Sequence, residues 1–389
     1  MKAIVVIDGE HYVSVVRDAF ASLPYEVVGT YLAGGTEKLR GGEDYGVPLV
    51  DDFEGADVVV DLSDEPVLGP RERLRLASRV LASGLPYVGT DFRFDPPAFE
   101  PFALPSIAVI GTGKRVGKTA VTGHVARALA RRLDVVVVAM GRGGPAEPEV
   151  IETTPTVASL LELSRAGRHA ASDHLETAAL AGVTTIGCRR AGGGLAGAVG
   201  PSNVSAGARL AAERRPDLVV FDGSGAAIPP VAVDRRILVV GRGHDPLGYL
   251  NPYRVLVSDL VVLVGGGDAA AVIDVKDVLV VDAELVLRPT APLDGRRVAV
   301  FTTGPAPIEH LDADVVSVSR NLASRSLLRE DLKRADADVF LVELKAAAID
   351  VVAEAAAARG VELVLAANDV VSPGLDEELL AFAEVGAAR

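Results

Sequence analysis

The segment from Ile107 to Arg132 places an apolar run, a glycine-rich loop and an amphipathic stretch in immediate succession. The loop reads Gly111-Thr112-Gly113-Lys114-Arg115-Val116-Gly117-Lys118-Thr119. Ile107–Ile110 has the length of a strand, and Thr119–Arg132 has the periodicity of a helix. A helix begins with backbone N–H groups that have no intrahelical partner, and its dipole is positive at that end. Phosphate is attracted there. Glycines let the backbone wrap a phosphate without Cβ clashes. Lys118 is expected to reach the β- and γ-phosphates of ATP, and the Thr119 hydroxyl to ligate Mg²⁺. Lys114, in the same loop, is a second candidate catalytic cation.

This unit fixes the class of fold around it. Along the chain, short Val/Ile/Leu runs alternate with Ala-rich amphipathic stretches, the pattern of parallel strands joined by helical crossovers. The expectation is an α/β protein: a P-loop NTPase core with a parallel sheet, plus an N-terminal Rossmann-like domain. At roughly 150 residues per domain, 389 residues suggest two or three domains. Residues 1–97 form the N-terminal unit, with strands at Ala3–Ile7, Tyr25–Thr30, Val58–Asp61 and Tyr87–Val88. Asp95 to Pro105 holds four prolines in eleven residues, so 98–106 reads as a stiff linker. The core spans 107–296. Residues 297–389 are either a separate α/β lobe or an extension of the same sheet.

Composition narrows the partners. The net charge of −14 argues against non-specific binding to nucleic acid or an anionic membrane. An anionic substrate therefore needs a local basic pocket. The apolar runs are too short to span a bilayer, and Asp8 and Glu10 interrupt the N-terminal one, so no signal peptide or membrane segment is expected. Cys188 is the single cysteine. It reads as a small buried hydrophobe and fits a reducing, cytoplasmic setting. The oligomeric state is left open, a homodimer being one option.

Other loops at predicted strand ends carry chemistry. Leu218–Phe221 ends in Asp222 and a Gly-Ser-Gly turn, where Mg²⁺–phosphate sites find a carboxylate ligand. Met140-Gly141-Arg142-Gly143-Gly144 and Gly187-Cys188-Arg189-Arg190 set arginines among glycines, and arginine forks suit phosphate oxygens. Asp8-Gly9-Glu10-His11-Tyr12 and Gly34-Gly35-Thr36-Glu37-Lys38 are plausible ligand loops in the N-terminal unit, the second resembling an anion nest. His169, Asp173 and His174 lack the cysteines and close His pair of a zinc site.

Five residues separate Gly111 from Gly117, one more than in the common phosphate loop; this spacing resembles dethiobiotin synthetase and its relatives. Taken in series, the strings around Glu10–His11, Lys38, Gly111–Val121, Arg142, His169–Asp173, Arg189–Arg190, Gly223–Pro230 and Val342–Ala348 resemble the cyclic 2,3-diphosphoglycerate synthetase family. The resemblance implies an ATP-dependent ligase. ATP phosphorylates one phosphate of 2,3-diphosphoglycerate, and the other phosphate displaces inorganic phosphate to give an internal phosphoanhydride. Arg142, His169, Asp173, Arg189, Arg190, Lys38, Glu10 and His11 become substrate-binding candidates, Arg189 and Arg190 also catalytic ones. Thr119 and Asp222 become the Mg²⁺ ligands. Two departures stand out: Asp222 replaces an expected Glu, and His174 an expected aromatic. They leave open a kinase making open-chain 2,3-diphosphoglycerate. A third reading is a switch ATPase with a protein partner; its usual lysine slot holds Gly113.

Overall fold

In the computed structural model, residues 1–304 and 307–386 are described. Two sheets organise them. The first contains β1 (Lys2–Ile7), β2 (Glu26–Leu32), β3 (Val58–Asp61), β4 (Tyr87–Val88) and β5 (Arg93–Phe94), in the order β2-β1-β3-β4-β5. All its pairs are parallel except β4 with β5. Helices α1 (Val13–Ser22) and α2 (Pro70–Ala82) cross between strands. Pro70 opens α2, where its missing N–H costs nothing.

The second sheet has twelve strands: β6 (Ser106–Gly111), β7 (Val135–Gly141), β8 (Glu149–Ile151), β9 (Thr184–Arg189), β10 (Leu218–Asp222), β11 (Arg235–Gly241), β12 (Leu260–Val264), β13 (Leu279–Pro289), β14 (Arg297–Phe301), β15 (Asp314–Ser319), β16 (Val339–Glu343) and β17 (Glu362–Val371). Their order is β15-β14-β16-β17-β13-β12-β11-β6-β10-β7-β9-β8. Strands β6, β10 and β12 are buried along their whole length, as near-continuous apolar strands in a parallel sheet should be. Helices α3 (Lys118–Ala130), α4 (Val157–Arg165), α5 (Asp173–Ala181) and α6 (Val204–Arg214) follow β6, β8, α4 and β9 in the chain.

The C-terminal segment extends the core sheet, and it does so in reverse. Strand β13 runs parallel to β12 through Leu279–Ala283, then antiparallel to β17 through Glu284–Pro289. Strands β17, β16 and β14 are parallel to one another. They therefore point back towards the core. The core strand β12 ends level with Ala283, whereas β16 ends at Glu343 beside Ala366, which pairs with Pro289. Two carboxyl edges thus face each other across the six residue pairs of the β13–β17 ladder, a gap of about 20 Å at 3.4 Å per residue.

The proline-rich segment does more than separate domains. The Glu100 N–H donates to the Pro230 carbonyl at 3.0 Å and the Ala232 N–H to the Glu100 carbonyl at 2.8 Å. Phe102 packs edge-on against Phe221 of β10, ring centroids 5.2 Å apart. The prolines leave few N–H groups to satisfy, so an extended strap lies on the core at little cost. Among the described residues, no helix is long and apolar enough to cross a membrane.

Helix α6 reaches the sheet through Gly207, where an added Cβ would stand 2.3 Å from Cys188 Sγ and 3.4 Å from Val138 Cγ1. Cys188 is fully buried, and burial pushes its thiol up to about 12. Replacing Gly207 with Ala overpacks this contact, and we expect a loss of roughly 1–3 kcal/mol in urea unfolding. An unchanged midpoint would show that α6 has room to back away.

Candidate active site

The loop after β6 turns through two residues with positive φ, Arg115 at 61° and Gly117 at 89°. Helix α3 starts directly at Lys118. The Thr112 N–H donates to the Val239 carbonyl at 3.1 Å, which ties the loop to β11. Gly241, at the end of β11, lets the loop lie close: a Cβ there would sit 2.6 Å from Val116 Cα. The backbone thus brings the start of α3 to the crevice at the carboxyl edge of the sheet, where α/β sheets take ligands.

Beneath the loop, Lys118 Nζ donates to Asp222 Oδ1 at 2.5 Å, and Thr122 Oγ1 donates to the same oxygen at 2.8 Å. Asp222 is fully buried at the tip of β10, and its Oδ2 has no hydrogen-bond partner. Burial raises the Asp222 carboxyl above the ordinary range, while Lys118 and Thr122 pull it back. The charged pair is thereby held in place with one carboxylate oxygen free.

A cleft of 670 Å³ opens above this pair. The loop contributes Gly113 to Thr119. Arg142, from the turn after β7, lies on the wall, with His169 and Asp173 from the approach to α5. Lys114, Arg115 and Arg142 make no ion pair among the described residues. Leu285 and Asn368 from the β13–β17 ladder form the back of the cleft, and Thr302, Thr303, Glu343 and Lys345 come from the facing edge.

The remaining sequence candidates fall into two further groups. Arg190 lines a neighbouring cavity of 540 Å³ together with Arg142 and Gly192–Gly194. Its guanidinium donates to the Gly192 carbonyl and, at 2.6 Å, to the Ser224 carbonyl. Its Nε is buried without a partner. Burial lowers the pKa of its guanidinium and the nearby Arg142 charge adds to this, so two like charges share the cavity rim. Arg189 is exposed and lines neither cavity. Glu10, His11 and Lys38 cluster in the N-terminal sheet's own loops: His11 Nδ1 meets the buried Asp8 at 2.7 Å, the Glu37 N–H donates to Glu10 at 3.3 Å, and Lys38 pairs with Glu37. None of the three lines either cavity.

His174 is buried, with Nδ1 3.1 Å from Ser172 Oγ, and burial lowers its basicity. A Cβ on Gly187 would strike its ring at 2.5 Å, so His174 is a packed part of the α5–β9 contact. The cleft also contains residues to which sequence reading gave no role. Glu176 on α5 meets Lys345 at 3.2 Å. Glu343 accepts from Thr302 Oγ1, the Thr303 N–H and Asn368 Nδ2, each at 2.7 Å. The string Val342–Ala348 was the available signal, but its partners lie on distant segments.

A glycine loop between a buried parallel strand and a helix, with a buried strand-end carboxylate against its lysine, defines a P-loop nucleotide-binding core. Family models agree and go further. The cyclic 2,3-diphosphoglycerate synthetase N-terminal, P-loop and C-terminal domains match residues 2–95, 106–282 and 289–369. The chain belongs to the cyclic 2,3-diphosphoglycerate synthetase family. A relative of that name from Rubrobacter xylanophilus is 47% identical, over 98% of this chain and 97% of its own. One from Thermococcus kodakarensis is 41% identical, over 95% and 94%. One from Methanothermobacter thermautotrophicus is 38% identical, over 97% and 94%. Among solved structures, Aquifex aeolicus LpxK in complex with ATP aligns with a TM-score of 0.43 at 14% identity, over 74% of this chain and 90% of that one.

The Lys118–Asp222 pair makes a sharp prediction. Lys118→Met strands a fully buried carboxylate, which costs roughly 3–5 kcal/mol when it stays charged. Asp222 has a raised folded-state value, and losing Lys118, the cation that favours its charged form, raises it further. The variant's deficit against wild type should therefore be smallest near the ordinary Asp range, about 4, and grow as pH rises through the folded-state value. Urea melts from pH 5 to pH 8 measure this. A deficit independent of pH would mean that Asp222 does not depend on Lys118.

Proposed function

We propose that this chain uses Mg²⁺-ATP to close the phosphoanhydride ring of cyclic 2,3-diphosphoglycerate. The observation that carries the reading is the single cleft in which a phosphate loop and unpaired Lys114, Arg115 and Arg142 converge. The family relationship across all three segments supports the substrate, and it does not favour an open-chain kinase or a protein-directed switch.

The chemistry follows from charge. ATP and a diphosphorylated carboxylate repel each other, so cations must offset them in a shielded site. Lys118 leaves Asp222 for the β- and γ-phosphate oxygens, where a fixed cation stabilises the transferring phosphoryl group. Asp222 then keeps only the Thr122 hydroxyl, on Oδ1. Its unpartnered Oδ2 and the Thr119 hydroxyl at the start of α3 fit a Mg²⁺ ion, which typically takes one or two protein ligands and fills its shell with phosphate oxygens and water. When bound, Mg²⁺ would neutralise phosphate charge. Arg142 stands between the nucleotide cleft and the cavity of Arg190, and we assign it to the acceptor. A phosphate of 2,3-diphosphoglycerate attacks the γ-phosphorus and ADP departs. The second phosphate then attacks the phosphorylated one, and inorganic phosphate leaves with the bond that breaks. Arg190 lines the adjoining cavity. Glu10, His11 and Lys38 in the N-terminal loops, and Arg189 exposed at the end of β9, line neither cavity and carry no step of this reading.

ATP hydrolysis or ADP release should be stimulated by 2,3-diphosphoglycerate and not by monophosphoglycerates. Arg142→Gln should raise the Michaelis constant for the acceptor about 10–100-fold, the scale of a lost charged hydrogen bond, with ATP affinity nearly unchanged. Asp222→Asn should weaken the Mg²⁺ dependence of turnover far more than it weakens folding. Stimulation by a monophosphoglycerate alone would replace this reading with a kinase.

A further inference from the structure

The edge facing the phosphate loop carries a site of its own. Its lining comes from the turn after β14 and the segment after β16: Thr302, Thr303, Gly304, Glu343 and Lys345. Lys345 is the only cationic side chain on that edge among the described residues lining the cleft. It is tied to Glu176, which projects from α5 on the other side, at 3.2 Å. Glu343 does not need Lys345, because the Thr302 and Thr303 hydroxyls, the Thr303 N–H and Asn368 Nδ2 all donate to it. Among the described residues, the ion-pair partner of Lys345 is therefore Glu176 alone.

Phosphoryl transfer requires the attacking and leaving oxygens to lie roughly in line through the transferred phosphorus. The phosphate loop holds the donor at one edge, so the acceptor must approach from the opposite one. We propose that Lys345 is the binding group for an acceptor phosphate on this facing edge, and that Glu176 is its counter-ion, released when the phosphate arrives. This rests on the reading given under Proposed function and names the subsite that holds its acceptor.

The exchange is linked to a proton. Burial, opposed by Lys345, places the Glu176 carboxyl at about 7. Asp173 on the same helix and Glu343 across the cleft push it upward as well. From α3, Arg127 shares a small chamber with Glu176 but is paired with Asp369 at 2.7 Å. Burial alone would lower the Lys345 ammonium, yet Glu176 and Glu343 outweigh it and leave it raised, so Lys345 stays charged throughout. A phosphate dianion that takes Lys345 removes the cation that favours ionised Glu176 and adds a like charge beside it. Both changes raise the carboxyl further. Above pH 7, Glu176 must then take up a proton as the phosphate binds, and binding weakens as pH rises.

The test uses calorimetry of 2,3-diphosphoglycerate binding to the full chain, in buffers of different ionisation enthalpy. Wild type should take up a substantial fraction of one proton per site near pH 8. Glu176→Gln, a neutral stand-in for the protonated acid, should lose that uptake and bind the ligand at least as tightly as wild type at pH 8. Lys345→Gln should weaken binding about 10–100-fold while ATP binding changes little. Thermal melts report whether each variant is folded, and proton uptake by wild type needs no variant at all. Binding without proton uptake, or with an unchanged affinity in folded Lys345→Gln, overturns the subsite and leaves the reading of function intact. Complete failure of 2,3-diphosphoglycerate to bind overturns both.

Discussion

The antiparallel ladder between β13 and β17 is the constraint on which the rest depends. Parallel strands all present their carboxyl ends on one side, so a sheet extended in the same sense would offer a single edge. Here β13 passes beyond the end of β12 and pairs with a strand running the other way. Strands β14 to β17, all parallel to one another, consequently aim their loops back at the phosphate loop. One sheet thereby supplies both walls of a cleft. Arg127 and Arg288 both pair with Asp369 at 2.7 Å, which joins α3 and β13 to β17. His124 of α3 and Arg131 at its C-cap meet Asp376 of the helix that follows β17. These contacts fix the nucleotide helix to the reversed strands.

Electrostatics follow the same geometry. The chain is acidic overall, yet the cleft gathers lysines and arginines. Two of the lysines are held by internal carboxylates, Lys118 by Asp222 and Lys345 by Glu176. Burying such charges unpaired is expensive, so an empty site needs counter-ions of its own. In the proposed reading, phosphates replace those counter-ions when they bind. The two pairs sit on opposite walls, one below the phosphate loop and one between α5 and the reversed strands.

How much of this was legible in the sequence depended on distance along the chain. The phosphate loop is a local motif: strand, glycines, lysine and helix are contiguous, and the structure begins the helix at Lys118, one residue before Thr119. Asp222 could be singled out because a carboxylate ended an apolar strand. The runs of β6, β7, β9, β10, β11 and β12 were legible for the same reason, to within a few residues, whereas the three-residue β8 was not. Strand β13 was not, since Asp282, Glu284 and Arg288 interrupt its apolar pattern at the crossover between two sheet directions. The pairing of Glu176 with Lys345 was not: Lys345 lies in the string Val342–Ala348 but Glu176 lies in none, and only the reversal of β17 brings their segments together. The adjacent arginines show the limit of reading residues by position. Arg190 lines a cavity beside Arg142, whereas Arg189, the residue before it and the last of β9, is exposed and lines neither cavity, as the alternation of successive side chains dictates.

The most direct measurement is phosphorus NMR of the product formed from ATP, Mg²⁺ and 2,3-diphosphoglycerate by the full chain. A cleft that brings two phosphates of one acceptor to a phosphoryl donor should give two mutually coupled phosphoanhydride resonances, with ADP and inorganic phosphate in equal amounts. Phosphomonoester resonances alone, with ATP consumed, would contradict ring closure and the account of the cleft built on it.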